Sequence, residues 1–297
     1  MNIAVFGLGS MGYGMAKSCV AAGLSTYGFD VVAGTVARFV NDGGKTGDLT
    51  EIAPTLNAAV VVVLNAAQVE DVLFGDAGVV PHLPKGAVVM ACATVPPDFA
   101  KAMEMRCEGH GVLYLDAPIS GGSVKAGLGQ LGVMASGTPE AFAAAQPVLD
   151  ATAETVFKLG DTAGPGSAMK AVNQLLAGVH IATMAEALTF GMTQGVDPAT
   201  FVEVITKCAG NSWMLENRAP HIVAGDYTPH SQVNIWPKDL GIVLEAAAAT
   251  GFDAPITKTA LARYKQAVNM GLGREDDAAV AKVYAAEAGL TLPDKNS

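Results

Sequence analysis

Asn2-Ile3-Ala4-Val5-Phe6-Gly7-Leu8-Gly9-Ser10-Met11-Gly12 joins a short β-rich run directly to three spaced glycines. A helical stretch, Tyr13 to Ala22, follows and is closed by Gly23. A second β-rich run, Ser25 to Phe29, then ends in Asp30, about 20 residues beyond the glycines. Glycine is 34 of 297 residues, so Gly-x-Gly-x-x-Gly alone carries little weight. Strand, glycines, helix, strand and terminal acid in that order carry much more. The first glycine permits a tight turn, the second admits a pyrophosphate to the backbone, and the third lets helix and strand pack closely. The helix N-terminus then faces the phosphates. The pattern predicts a dinucleotide site built from Gly7, Leu8, Gly9, Ser10, Met11, Gly12 and Asp30. Asp30 would bond the ribose hydroxyls of NAD and repel the extra phosphate of NADP. Val31 and Val32 offer no cation to offset it, and Arg38 lies too far along the chain. NAD is therefore the expected cofactor.

The alternation of strands and helices continues outward from this unit. Ala59 to Leu64 (AVVVVL) is a continuous apolar run, as in a strand buried on both faces. Asn65 to Gln68 should be its C-terminal loop, which lines the ligand crevice of a doubly wound sheet. That places Leu64 and Asn65 beside the cofactor. Ala87 to Ala91 reads as the next strand, leading through Thr94 into a helix near Pro96-Pro97. Thr94 is expected near the nicotinamide ribose; as an isolated residue it would more often cap the helix. Val112 to Leu115 precedes Asp116-Ala117-Pro118-Ile119-Ser120-Gly121-Gly122. Ser120, Gly121 and Gly122 could offer consecutive backbone N–H groups to an anion such as a carboxylate, or could form an ordinary turn. Leu131 to Ala135 and Glu154 to Lys158 read as further strands flanking a helix, Pro139 to Leu149.

After Gly164 the strand pattern stops. Ser167–Gly191, Pro198–Cys208, Pro237–Thr250, Pro255–Met270 and Ala278–Ala288 have helical spacing, whereas Asn211 to Trp236 reads as an irregular connection. The fold class expected is an α/β N-terminal domain with a doubly wound, mostly parallel sheet, plus an all-α C-terminal domain. The boundary is placed at 162/163, with a long interdomain helix from about 167 to 191.

Composition narrows the function. The chain is 51% hydrophobic with a mean hydropathy of +0.35, enough for a large core. A net charge of −10 argues against nucleic acid and anionic membranes as partners. Cys19, Cys92, Cys107 and Cys208 lie far apart, as in a reduced cytoplasmic protein. The five histidines show no ligand spacing, so no metal site is expected. No run approaches the roughly 20 apolar residues of a membrane span.

In Gly164-Pro165-Gly166-Ser167-Ala168-Met169-Lys170-Ala171-Val172-Asn173-Gln174, glycine and proline end the preceding structure and a helix begins. Lys170 and Asn173 are three apart, hence on one helix face. The positive helix N-terminus disfavours an ammonium ion, so a lysine there is placed to lose its proton and act as a base. The plainer reading is a surface lysine beside a capping region.

Four motifs in this order resemble the β-hydroxyacid dehydrogenase family, which includes 3-hydroxyisobutyrate and tartronate semialdehyde enzymes. They are Gly7–Ala16 (GLGSMGYGMA), Asp116–Gly122 (DAPISGG), Gly164–Asn173 (GPGSAMKAVN) and Lys238-Asp239-Leu240 (KDL). The resemblance covers essentially the whole chain. Asn211–Met214, Gly225–Ser231 and Gly273–Val280 resemble the L-threonate dehydrogenase branch, implying polyhydroxy acids of three or four carbons. By this resemblance Lys170 is the catalytic acid/base and Asn173 orients substrate. Ser120, Gly121 and Gly122 hold the substrate carboxylate. Lys238 closes over the site and contacts cofactor with Asp239 beside it, and Gln174 is a further polar contact. Ala93 and Asn65-Ala66-Ala67 depart from the family pattern near the nicotinamide. A homodimer or homotetramer is also implied.

In the mechanism that follows, neutral Lys170 takes the proton of a 2-hydroxyl while hydride leaves C2 for NAD. A free lysine has a pKa of about 10.4, which must be lowered for this role. The alternatives are another substrate on the same machinery (3-hydroxyisobutyrate, D-glycerate or a short semialdehyde), imine reduction, and a non-catalytic dinucleotide sensor. Imine reduction and the sensor are disfavoured by Lys170.

Overall fold

A computed structural model describes residues 1–295, which fall into two compact units, Met1–Lys170 and a second from Ala171 onward. The first contains β1 (Asn2–Phe6), α1 (Ser10–Ala21), β2 (Ser25–Phe29), α2 (Ala33–Asn41), the single turn α3 (Leu49–Ile52), β3 (Ala58–Val61), α4 (Ala66–Phe74) and β4 (Val88–Ala91). It continues through α5 (Pro97–Glu108), β5 (Leu113–Asp116), β6 (Ile119–Ser120), α6 (Gly122–Gly127), β7 (Leu131–Ala135), α7 (Pro139–Thr152) and β8 (Ala153–Lys158). Strands β2-β1-β3-β4-β5 form one sheet, parallel throughout, as the alternating pattern predicts. The chain moves outward from β1 on both sides, so the topological switch lies between β1 and β3. At such a point the carboxyl ends of the strands open a crevice for ligand.

Both faces of this sheet are covered, which is why its strands are apolar without alternation. Ile3, Val5, Val60, Val88 and Met90 pack with Met15 and Cys19 of α1 on one side. Ala4, Phe6, Ala59, Val61 and Val89 pack with Leu73 of α4 and Met103 of α5 on the other. The apolar run Ala59 to Leu64, expected to be strand throughout, outlasts the strand itself, which ends at Val61. Its partner β1 ends at Phe6, opposite Val61; the Val62 N–H still donates to the Phe6 carbonyl (2.8 Å), and Val63 and Leu64 lead on toward α4. A separate three-stranded sheet pairs β6 antiparallel and β8 parallel to β7. An isolated bridge between Asp116 and Ser136 links its end to that of β5.

Helix α8 (Pro165–Thr193) begins in the first unit and continues in the second, two residues longer at each end than its sequence signals imply. The second unit adds α9 (Pro198–Ile205), α10 (Trp213–Val223), α11 (Ile235–Ala249), α12 (Pro255–Asn269) and α13 (Ala281–Ala288). Among its described residues there is no strand, as expected of an all-α unit. Helix α10 corrects the reading of Asn211–Trp236 as irregular. Pro220 inside it masks the helical signal, yet Leu215, Arg218, Ala219 and Ile222 are buried at helical spacing, and Ser212 Oγ accepts the Leu215 N–H (3.1 Å). A second correction concerns α8, which is by length and composition apolar enough to cross a membrane; its best window has a mean hydropathy of 1.4. The alanines and glycines within it hide this from a search for unbroken runs of large apolar residues.

Candidate active site

The glycine loop takes the shape that its spacing implies. Gly7 has φ +92°, and a Cβ there would lie 2.3 Å from the Val62 carbonyl oxygen. A Cβ on Gly12 would lie 1.9 Å from the Gly7 carbonyl oxygen. Both positions therefore need glycine for the protein's own packing. Gly9 differs, since a Cβ there would meet nothing within 4 Å. Its small size leaves space open at the start of α1, where a diphosphate could approach the backbone. No side chain caps α1 and its first turn carries no acid, so its positive end is available to an anion.

Asp30 sits at the carboxyl end of β2, with Oδ2 accepting the Leu8 N–H (2.7 Å) and Oδ1 the Val32 N–H (2.8 Å). These bonds fix the carboxylate against the loop and leave further lone pairs for a ribose diol. Val31 is fully exposed beside it. The guanidinium of Arg38 lies over the Tyr13 ring at 4.2 Å, so that cation is engaged elsewhere than at Asp30. The residues present fit a dinucleotide without a 2′-phosphate.

Leu64 is exposed beyond β3, while Asn65 is the N-cap of α4 rather than part of a loop. Its Oδ1 accepts the Gln68 N–H (2.9 Å), and the Gln68 side chain in turn accepts the Leu64 N–H (2.9 Å). Asn followed three residues later by Gln is a capping signature that could have located α4 from sequence. Thr94 lies in the connection between β4 and α5 and does not cap that helix, whose N-cap is Pro96.

Lys170 is not a surface lysine. It is 8% exposed, and its Nζ donates to the Ile119 carbonyl (2.9 Å). Within the first unit this puts its head beside Ser120, Gly121 and Gly122. Gly121 (φ +135°) and Gly122 (φ +77°) adopt backbone conformations that other residues rarely reach, turning the chain from β6 into α6. A Cβ on Gly122 would meet nothing within 4 Å.

The second unit holds a polar group of its own. Asn173 Nδ2 donates to Gln174 Oε1 (2.9 Å), and Gln174 Nε2 donates to the buried Asp239 Oδ2. Lys238 Nζ lies 2.5 Å from Asp239 Oδ1, an ion pair without an aligned hydrogen bond. The amide of Asn173 is thus oriented through Gln174 by a carboxylate from α11. Sequence reasoning placed all four residues at a site but did not foresee that they bond to one another.

Residues 2–160 match the family model for the NAD binding domain of 6-phosphogluconate dehydrogenase. Residues 164–284 match that for the NAD-binding of NADP-dependent 3-hydroxyisobutyrate dehydrogenase. The chain is 46% identical over 298 residues to an L-threonate dehydrogenase of Escherichia coli O6:H1, covering 100% of this chain and 98% of the relative. It is 45% identical over 295 residues to an L-threonate dehydrogenase of Cupriavidus necator, covering 99% and 98%. A crystal structure of 3-hydroxyisobutyrate dehydrogenase from Salmonella typhimurium superposes with a TM-score of 0.90 at 44% identity, covering 95% of this chain and 99% of that one.

Proposed function

The chain belongs to the β-hydroxyacid dehydrogenase family of NAD-dependent enzymes acting on CH–OH groups, and from that premise we propose that it oxidises L-threonate at C2 to 2-oxo-tetronate with Lys170 as acid/base. The observation that carries the catalytic reading is Lys170 itself, buried near the start of α8 and 2.9 Å from Ile119 O, next to the Ser120–Gly122 turn. The substrate reading rests on full-length likeness to L-threonate dehydrogenases. 3-Hydroxyisobutyrate is the second reading, favoured by likeness to the 3-hydroxyisobutyrate dehydrogenase structure from Salmonella typhimurium, with tartronate semialdehyde a further candidate for the same machinery.

When bound, NAD supplies the hydride acceptor. Gly7, Leu8, Gly9, Ser10, Met11 and Gly12 would hold its diphosphate and Asp30 its adenosine ribose, with Leu64, Asn65 and Thr94 and, by the family resemblance, Lys238 as further candidate contacts. Ser120, Gly121 and Gly122 take the substrate carboxylate. Lys170 accepts the proton of the 2-hydroxyl at Nζ and returns it in the reverse direction, when its ammonium stabilises the developing alkoxide. Asn173, Gln174, Lys238 and Asp239 serve substrate binding. Residues 1–162 act as the nucleotide domain and 163–297 as the substrate and oligomerisation domain of a cytoplasmic homodimer or homotetramer. Helix α8 leaves Met169, Val172, Leu176 and Phe190 exposed, which suits burial against another subunit better than solvent.

The test follows NADH formation with L-threonate, D-threonate, D-erythronate, D-glycerate and 3-hydroxyisobutyrate, each with NAD and NADP. Turnover with L-threonate and NAD above the others is expected; 3-hydroxyisobutyrate winning would sink the substrate reading and leave the family standing. Lys170→Ala should lower kcat by about 10²–10⁴-fold while NADH affinity persists. A fall in both would make the lysine structural.

A further inference from the structure

The first turn of a helix has N–H groups with no partner inside it. At the start of α8 and in the two residues before it, the N–H groups are met by three side chains of the first unit. The Ala163 N–H donates to the Glu104 carboxylate of α5 (2.9 Å). Asp116, at the end of β5, accepts at Oδ2 from the Gly164 N–H (3.0 Å) and the Ser167 N–H (2.8 Å), and at Oδ1 from the Ser167 hydroxyl (2.7 Å). The Ser136 hydroxyl, just past β7, accepts the Gly166 N–H (2.9 Å) and donates to Asp116 Oδ2 (3.3 Å). Pro165 has no N–H to satisfy. Every amide from Ala163 to Ser167 is therefore accounted for, and Asp116, Ser136 and Ser167 are sealed from solvent.

Asp116 is itself pinned. Its N–H donates to Ser136 O (3.0 Å) and its C=O accepts the Ser136 N–H (2.8 Å). Four donors converge on its carboxylate, and no cation is among them. The two backbone N–H groups on Oδ2 can only donate and so hold that oxygen as an acceptor, while the two serine hydroxyls can donate or accept. Three residues on, Ile119 presents the carbonyl that receives Lys170 Nζ. One short segment, Asp116–Ile119, thus grips both the helix on which Lys170 stands and the tip of its side chain.

We propose that Asp116 is a positioning residue for Lys170: a buried N-terminal cap, delivered to α8 from the end of β5, that sets where the lysine's ammonium lies. The proposal rests on the acid/base reading of Lys170 above. Its grounds are distance and burial, because Lys170 stands one helical turn beyond the Gly166 and Ser167 amides. A shift of about 1 Å in a reacting group can cost about 10²-fold in rate. Asp116→Asn keeps shape but removes the charge, and its N–H₂ group fits only at the Oδ1 position, where the Ser167 hydroxyl must turn from donor to acceptor, so the cap is weakened.

The experiment is a double-mutant cycle of Asp116→Asn with Lys170→Ala on the full chain, reading kcat, KM for substrate and NADH affinity. Asp116→Asn alone should lower kcat by about 10²-fold with NADH affinity unchanged. In the Lys170→Ala background it should cost nothing further, because the residue being positioned is gone. Ser167→Ala, which removes one donor and leaves the backbone bonds, should show the same pattern with a smaller loss, and stands in if Asp116→Asn does not fold. Full turnover in the folded variants, a loss that multiplies onto that of Lys170→Ala, or a parallel loss of NADH affinity overturns the proposal alone. Turnover that survives Lys170→Ala overturns the acid/base reading and this proposal with it.

Discussion

Two buried acid clusters, one in each unit, meet the same electrostatic problem in opposite ways. Asp116 is surrounded by backbone N–H groups and hydroxyls, all neutral. In the second unit Asp277 takes Arg218 Nε (2.5 Å) and the Trp236 indole N–H (3.0 Å), and its neighbour Asp276 takes His221 Nδ1 (2.9 Å). The His230 N–H (2.9 Å) and Ala278 N–H (3.1 Å) complete Asp276. Burial pushes the pKa of both Asp116 and Asp277 above the ordinary value; hydrogen bonds oppose it at the first, the Arg218 charge at the second. The partners differ because the tasks differ. Backbone donors are rigid and fix a segment in place, as the start of α8 requires. An arginine on α10 reaching an acid 59 residues later ties distant parts of the helical unit together and neutralises charge in doing so.

The largest effect should come from removing the charge. Arg218→Met strands Asp277 without a cation and should destabilise the protein by about 3–5 kcal/mol in denaturant unfolding. Adding Asp277→Asn should recover part of that loss. A cost below about 1 kcal/mol would mean that packing, not charge compensation, holds this cluster.

A smaller effect probes rigidity. A Cβ on Gly166 would lie 2.6 Å from Met134 O and 2.8 Å from Asp116 O, both backbone atoms that cannot swing aside. Gly166→Ala should therefore cost about 1–3 kcal/mol and depress turnover. In α11, by contrast, a Cβ on Gly241 would meet nothing within 4 Å. Gly241→Ala should stabilise by about 0.4–1 kcal/mol. The same sign for both in thermal unfolding would break the contrast between a clamped and an open helix.

What could be read in the sequence was whatever depends on near neighbours. The glycine loop, Asp30 and the β1–α1–β2 order are local, and each stands where its spacing put it. Helix α10 was lost to Pro220, although the spacing of Leu215, Arg218, Ala219 and Ile222 was there to find. The partners of Asp116 lie 20 to 51 residues away. Nothing in DAPISGG announces that its aspartate caps a helix beginning at Pro165. The burial of Lys170 was likewise invisible, because it depends on Ile119, 51 residues earlier, and not on the helix that carries it.

The smallest effect separates Asp276 from Asp116 by sign, Asp277 being shifted in the same direction as Asp116. At Asp276 burial would raise the pKa, but bonds from His221, His230 and Ala278 outweigh it and leave it below the ordinary value of 3.8. A depressed folded pKa contributes stability above the unfolded value and loses it as pH falls through the folded one. Asp116 runs the other way: its folded pKa is raised, so the cost of its charge is absent below the unfolded value and grows as pH rises through the folded one. Acidification from neutral pH should therefore weaken the Asp276 contribution and relieve the Asp116 penalty. Measured as stability against pH, Asp276→Asn should lose part of the wild-type decline at low pH, whereas Asp116→Asn should steepen it. Each difference should stay within about 1.4 kcal/mol per unit of pKa shift. Two variants that change the slope in the same direction would mean that the donors around Asp116 compensate its charge as fully as those around Asp276 do, and the contrast between the two acids would collapse.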